Sequence, residues 1–584
     1  MSNTSKAQAV AIAQATHAAK AAHAQAATVL SRRGYVIRKE CLDEDELRRI
    51  REELTFINGD EFNPYGAAPE KFPIYAENDV KIYLPRYYGL HNYGEPEKID
   101  YSEPKYPVTK EMISTPFSFN GGLRDYQEDA IKKLFKHFKT PGSGGIICMP
   151  CGFGKTRTTI HAIYKLKNMF VEWKKPFKVI IVVHKEFLGN QWRENINSLI
   201  PEAKVGIIQA DKVDVEGKDI VVAMLQSLSM KDYPDSMFNQ FDFAIFDECH
   251  HLAAKVFSKA LLRIGCKYLL GLSATPSRAD GCHDIFYHSI GPIVYKIERP
   301  KDDRALVHKI VINSDNNKYY KEEINKYTGT KNMAAMENSL CAFPDRNKLI
   351  VDVMRKILES EEGRKIILFS SRRDDKHLGF IKELLDAVPI VKKNGEMATY
   401  GYYMGRKATS KKKHNEGLKE SECKDIIMAT ISIGKEGLDI PKINTIIFAT
   451  PIKGFELKKV NGKMVESQTT IEQTIGRILR EPPQFRTHIP IVIDIVDNFS
   501  NYIKWCYTRN AFYKRVGYPM TRNVVVLNRD KEGRQSYELE FLNKNEIFYA
   551  SEAAIKEAVE GIEREDSSMS SDSKMDGECM IDDE

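Results

Sequence analysis

The chain predicts an α/β fold, with two tandem parallel-sheet domains behind a small α+β N-terminal domain. Two observations carry that expectation. Short apolar runs at residues 179–183, 219–223, 241–246 and 268–272 alternate with helical stretches. Continuous apolar strands separated by helices indicate a parallel sheet covered on both faces. The same alternation then resumes at 365–369, 425–429, 445–449 and 489–494, so a second domain of similar size follows the first. Two such sheets in tandem predict a cleft between them.

The order along the chain is as follows. Residues 1–32 form an alanine-rich tail and 33–115 the N-terminal α+β domain. Residues 116–300 make the first parallel-sheet domain, 301–344 a charged linker and 345–500 the second. Residues 501–560 are a C-terminal extension, and 561–584 an acidic, serine-rich, disordered tail. Within the N-terminal domain, 34–38 reads as a strand. Residues 42–54 read as a helix with acids in its first turn and Leu47, Ile50 and Leu54 on one face. The aromatic and basic stretch 80–90 reads as tyrosines packing into this domain rather than as a base-stacking surface. A helix over 128–138 precedes the first sheet, and another over 502–518 follows the second.

With 584 residues the chain has room for about three or four domains. A hydrophobic share of 42% with 29% charged residues describes a soluble globular protein. No apolar run reaches the roughly 18 residues that a membrane span requires. Residues 1–39 are poor in acids but lack the compact apolar segment of a signal peptide. The net charge is +6, yet the segment 563–584 holds nine acids against Arg564 and Lys574, leaving about +13 on the remainder. That basic excess suits a polyanionic partner. Ten cysteines without a disulfide spacing predict a reducing, intracellular setting. Cys148 and Cys151 spell C-x-x-C by coincidence, at a strand end.

The chemistry starts at Met149-Pro-Cys-Gly-Phe-Gly-Lys-Thr156, which follows an apolar strand and precedes a helix over 157–166. A glycine-rich turn in that setting cradles phosphate with backbone N–H groups and the positive end of the helix. Met149, Pro150, Cys151, Gly152, Phe153 and Gly154 would line the phosphates. Lys155 would reach the β/γ-phosphates, and the Thr156 hydroxyl would ligate Mg²⁺. Met149 stands where the full pattern has glycine. Asp247-Glu-Cys-His250 follows the strand 241–246, where a phosphate-hydrolysing enzyme needs carboxylates. Asp247 would hold Mg²⁺, Glu248 would orient and deprotonate the attacking water, and His250 would couple that site to a bound partner. Cys249, His250 and His251 are too close in sequence to converge on one tetrahedral metal. Ser273 and Thr275, after the strand 268–272, are further candidates for that coupling. In the second domain, Gly434 and Gly437 allow close backbone approach to a ligand, and Asp439 can bond a ribose hydroxyl or orient an arginine. Arg477 and Arg480, spaced i, i+3 on a predicted helix, would neutralise charge on the γ-phosphate, an arrangement worth roughly 10³–10⁵ in rate.

Taken together and in this order, these motifs resemble those of superfamily 2 helicases of the DExH type, over roughly residues 116–500. The resemblance implies two RecA-like domains, with ATP and Mg²⁺ bound between them. It implies an adenine contact for Gln127, in Leu123-Arg-Asp-Tyr-Gln127, and it accommodates Met149, since this superfamily does not require the first glycine. It adds Gln473 as a coupling residue. It implies nucleic-acid contacts at His184, Lys185, Gln191 and Trp192, at Gln226 and Ser227, at Ser371 and Arg372, and at Thr430, gripping phosphates rather than bases. Arg278-Ala-Asp280 is similar to the Arg-Glu-Asp element of the XPB-like DNA helicases, with Ala279 in place of its glutamate. The N-terminal stretch resembles helicases of large double-stranded DNA viruses, among them the poxvirus transcript-release DNA helicase. Two basic insertions, 406–414 and 453–463, are candidate strand-handling loops, the second with a hairpin turn at Asn461-Gly462.

The expected function is thus an ATP-dependent translocase, a DNA helicase ahead of an RNA helicase or a duplex translocase that does not unwind. A non-catalytic scaffold that senses ATP is the alternative from another class. Expected partners are nucleic acid, DNA ahead of RNA, and the transcription machinery, with no membrane. The expected location is inside cells, or in a viral factory, nucleus or virion if the protein is viral.

Overall fold

The computed structural model describes residues 28–58, 70–101, 108–150, 152–249, 259–261, 263–274, 284–298, 305–326, 329–373, 377–404, 411–431, 440, 442–454, 456–460, 463–467, 470–479 and 486–527. The acidic tail, most of the alanine-rich tail and the insertion at 406–410 lie outside these.

The N-terminal part opens with a hairpin of β1 (Thr28–Ser31) and β2 (Gly34–Arg38). The helix Glu44–Glu53 follows, capped by Asp43, whose carboxylate accepts from the Glu46 N–H at 2.8 Å. β3 (Thr55–Asn58) pairs with β4 (Glu70–Pro73). β5 (Ala76–Glu77), β6 (Lys81–Leu84), the helix Arg86–Tyr93 and β7 (Lys98–Asp100) complete it, in a sheet of order β5-β6-β2-β1-β7. β1 thus begins within the stretch read from sequence as tail.

The first large sheet contains β8 (Gly144–Cys148), β9 (Val179–Val183), β10 (Val205–Gln209), β11 (Lys212–Asp214), β12 (Ile220–Met224), β13 (Phe243–Phe246), β14 (Tyr268–Ser273) and β15 (Ile293–Lys296). Its order is β11-β10-β12-β9-β13-β14-β8-β15, parallel except where β11 turns back on β10. Alternate residues of each strand enter different cores. Ile180, Val182, Ala244 and Phe246 pack on one face, while Val179, Ile181, Val183 and Ile245 pack on the other. That is why these strands read as unbroken apolar runs.

The N-terminal sheet shares the first of those cores: Leu30, Tyr35, Ile37 and Leu84 belong to the same cluster as Ile180 and Phe246. Polar ties reinforce the joint. Arg86, only 3% exposed, donates to the carbonyls of Gly142 and Lys267 at 2.8 Å each and to that of Cys266 at 2.6 Å. The Tyr87 hydroxyl donates to the Gly144 carbonyl at 2.6 Å. The tyrosines of 80–93 are accordingly packing residues, as their spacing suggested.

The second large sheet, in the other of the two compact units, contains β16 (Leu306–Asn313), β17 (Ile366–Ser370), β18 (Tyr400–Tyr403), β19 (Ile426–Thr430), β20 (Thr445–Phe448), β23 (Ile491–Asp497) and β24 (Met520–Val526). Between β20 and β23 the strands β21 (Glu456–Val460) and β22 (Lys463–Ser467) form a two-stranded sheet of their own, in the basic insertion read as a hairpin. The seven strands are all parallel, in the order β18-β19-β17-β20-β23-β16-β24. Ile366, Leu368 and Met428 face one core, and Ile367, Phe369 and Ile427 the other. Two sequence boundaries are corrected here. β16 lies in the stretch read as a linker, and β24, paired with it, lies in the C-terminal extension. The polar His308 and Lys309 interrupt the apolar run of β16, and for that reason the strand was not legible.

Candidate functional site

The carboxyl ends of β8, β13 and β14 bring the glycine-rich turn and the paired acids together. In open parallel sheets this edge is where ligands bind. β14 lies between β13 and β8, and the Met149 N–H donates to the Ser273 carbonyl at 3.2 Å, tying the turn to the end of β14. Gly152 and Gly154 adopt φ of 86° and 79°, the left-handed region that favours glycine. A Cβ on Gly154 would also lie 2.4 Å from Gln127 Nε2. The helix Lys155–Glu172 begins directly after Gly154 and carries no acid in its first turn, so its positive end is left for an anion.

Lys155 Nζ sits 3.3 Å from the Met149 carbonyl and 3.4 Å from Glu248 Oε1. Thr156 stands half-buried in the first helical turn. Glu248 has φ of 47°, a strained conformation for a non-glycine residue, held immediately beyond β13. Its N–H donates to Asp247 Oδ1 at 3.1 Å, and the indole Nε1–H of Trp192 donates to Asp247 Oδ2 at 2.9 Å. Burial, and then the neighbouring Glu248, push the Asp247 carboxyl up to about 6, against the pull of Trp192 and Lys155. A carboxylate whose charge is resisted in this way gains from a nearby cation. Among the described residues no cluster of three or more ligating side chains exists. Mg²⁺ takes one or two protein carboxylates together with substrate phosphates rather than an all-protein cage. Thr156 and Asp247 offer such a donor set. Cys148 and Cys249 are buried with their thiols pushed up, Cys148 to about 11, which leaves them inert.

Gln127, for which the resemblance implies an adenine contact, is tied to the glycine-rich turn. It is 2% exposed, with Oε1 accepting from the Arg124 N–H at 3.0 Å and Nε2 donating to the Phe153 carbonyl at 2.9 Å. Its amide braces the glycine-rich turn. Trp192 corrects the expectation of a surface contact: it is 2% exposed and its indole N–H donates to Asp247 Oδ2 at 2.9 Å. Sequence reasoning grouped it with surface contacts and missed this bond. A tryptophan at an inward position of an amphipathic helix, needing a partner for its one N–H, was the available signal.

The other candidates divide. His184, Lys185 and Gln191 are half-buried at and after the end of β9, and Gln226 is exposed. Ser227 is buried, its hydroxyl accepting from the Ala210 N–H at 2.9 Å. Ser371 donates to Glu337, and Arg372 pairs with the same carboxylate at 3.2 Å. Thr430 ends β19, 7% exposed. The helix expected to carry both arginines runs only over Thr470–Ile475, so half-buried Arg477 lies in the turn beyond it, after Gly476. The Arg477 N–H donates to the Thr474 carbonyl at 3.1 Å. Cys151, His250, Thr275, Arg278, Gly434, Gly437, Asp439 and Arg480 lie outside the described residues, and Gln473 is described by its backbone alone. No helix among the described residues is long and apolar enough to cross a membrane.

Residues 120–278 match the family described as the type III restriction enzyme res subunit, and residues 349–481 match the helicase conserved C-terminal domain. A protein of Acanthamoeba polyphaga mimivirus, provisionally named an ATP-dependent RNA helicase, is 31% identical over 88% of this chain and 89% of its own length. A similarly named protein of African swine fever virus is 24% identical over 68% of this chain and 74% of its own. The DNA 3'-5' translocase XPB2 of Sulfurisphaera tokodaii is 26% identical over 74% of this chain and 91% of its own. With the glycine-rich turn, the paired acids and the two parallel sheets in place, the chain belongs to the superfamily 2 helicases, the ATP-dependent helicases and translocases.

Proposed function

We propose that the protein is an ATP-driven translocase that moves on DNA, with Lys155, Asp247, Glu248, Arg477 and Arg480 as its hydrolytic residues. The observation that carries the ATP site is the Lys155–Glu248 contact of 3.4 Å behind the glycine-rich turn. A triphosphate seated on the turn would draw the Lys155 ammonium to its β/γ oxygens and release Glu248. The freed carboxylate would accept a proton from a water attacking the γ-phosphorus as the bond to the ADP oxygen breaks. Mg²⁺, held by Thr156 and Asp247, would neutralise phosphate charge. Arg477 and Arg480 would act on the γ-phosphate from the second domain, and Gly437 and Asp439 on the nucleotide. His250, Ser273, Thr275 and Gln473 would couple the site to the strand. His184, Lys185, Gln191, Gln226, Arg278 and Thr430 would meet its backbone.

DNA is favoured by the Arg278-Ala-Asp280 element and by the likeness to the archaeal protein named a DNA translocase. We place the protein with the XPB-like group and with viral transcription of the poxvirus transcript-release type. RNA is the second reading, favoured by the name of the mimivirus relative. The test is ATPase and strand displacement with single- and double-stranded DNA and RNA, in both polarities. Stimulation by DNA is expected, and stimulation by RNA alone overturns the DNA reading. Lys155→Ala should abolish turnover, and Glu248→Gln should retain bound ATP and nucleic acid. Normal turnover in either variant overturns the assignment of the site.

A further inference from the structure

Trp192 lies on the helix Glu186–Leu199, next to Gln191 and about two helix turns beyond Lys185. It is among the largest fully buried side chains of the molecule. Its only hydrogen-bonding atom, Nε1, points at Asp247 Oδ2 at 2.9 Å. The other oxygen, Oδ1, takes the Glu248 N–H at 3.1 Å. Two donors from different elements therefore fix the plane of one carboxylate. One donor comes from the main chain just after the carboxylate itself. The other comes from a residue 55 positions earlier, on the helix that follows β9. Aspartate alone at the end of β13 would rotate about its side-chain bonds, so the indole sets which lone pairs remain for a cation.

We infer that Trp192 is a positioning residue that orients the Asp247 carboxylate for Mg²⁺ and links the helix behind His184 and Lys185 to that carboxylate. The inference rests on the proposed ATP site. It has a further consequence: a nucleic-acid strand that shifts this helix also shifts the indole, and with it the oxygen that meets the cation. The strand-binding helix and the metal site are then joined by one hydrogen bond, independently of the coupling residues of the motifs.

The variant Trp192→Phe keeps an aromatic six-membered ring but removes the pyrrole half of the indole together with its N–H. Equilibrium binding of a non-hydrolysable ATP analogue is measured with Mg²⁺ and with EDTA. The Mg²⁺-dependent gain in affinity should fall roughly tenfold in the variant, the size of effect typical for a residue that orients a metal ligand, while EDTA binding stays unchanged. A merely structural role for Trp192 would lower thermal stability and leave that gain intact, which overturns the inference. A wild-type protein that binds the analogue equally with and without Mg²⁺ overturns the ATP site itself, and Trp192 with it. A second measurement does not depend on the variant folding. The chain has three tryptophans, and Trp173→Phe with Trp505→Phe leaves Trp192 as the sole reporter. Adding Mg²⁺ to that protein with the analogue bound should change the Trp192 emission, and unchanged emission overturns the inference.

Discussion

Aspartates stand at strand ends in both large sheets, and Asp247 of the first is held differently from Asp494 and Asp497 of the second. In the second sheet Asp497, at the end of β23, meets the Arg346 guanidinium in a two-pronged bond of 2.8 Å on each arm, with both side chains fully buried. Asp494, three residues earlier, takes Arg509 Nε at 2.9 Å and the Tyr513 hydroxyl at 3.3 Å. Both carboxylates are neutralised by the fold itself. In the first sheet Asp247 is half-buried, and the hydrogen bonds described for it come from neutral donors, an indole and a peptide N–H. Its charge is oriented rather than cancelled. A carboxylate closed by an arginine serves structure, whereas one held by neutral donors and pushed up by burial is poised for a cation that arrives with a substrate.

That contrast can be broken most sharply at Asp247. Asp247→Asn should lose ATPase to background yet unfold in urea at the wild-type midpoint or slightly above it, since a resisted charge is removed. A loss of several kcal/mol in this variant would put Asp247 with the structural pairs. Arg346→Ala should instead cost about 3–5 kcal/mol, because it leaves Asp497 buried and uncompensated. Unfolding midpoints that match wild type would end the comparison from the other side. Gly154→Ala should cost about 1–2 kcal/mol for the left-handed backbone and should weaken nucleotide binding further by displacing Gln127, readable by calorimetry. A further effect concerns pH. Burial pushes His308 and His377 down to about 3, so both are neutral in the folded protein. The unfolded chain binds these protons from about pH 6.5 downward and the folded chain does not, so stability is lost as pH falls through that range. The slope approaches about 1.4 kcal/mol per pH unit for each group. His377→Gln should flatten it, measured as urea midpoints between pH 7 and 5.

The parallel strands were legible because burial on both faces leaves no polar alternation. Val179–Val183 is the clearest case, carried by the sequence in full. The turn from Met149 to Thr156 and the Asp247–Glu248 pair were legible because their chemistry is local: neighbouring residues create the anion site and the strained acid. What escaped was set by distance along the chain. The bond from Trp192 to Asp247 spans 55 positions, and that from Arg346 to Asp497 spans 151. Only the tertiary fold decides which donor meets which carboxylate. Gln127 was found, but its bond to the backbone of Phe153, 26 positions away, was not.

The docking of the N-terminal sheet bears on how the motor can be divided or exchanged. The recognised family region starts at residue 120, an inviting place to cut. A fragment cut there would lack Arg86 and Tyr87, leaving the carbonyls of Gly142, Gly144, Cys266 and Lys267 without those donors. Those carbonyls sit at the start of β8 and just before β14, the strands whose far ends carry the phosphate-binding turn and Ser273. Inheritance and engineering alike should therefore treat residues 28–298 as one transplantable part, since a chimaera joined at residue 120 would loosen from behind the strands that must hold the turn still.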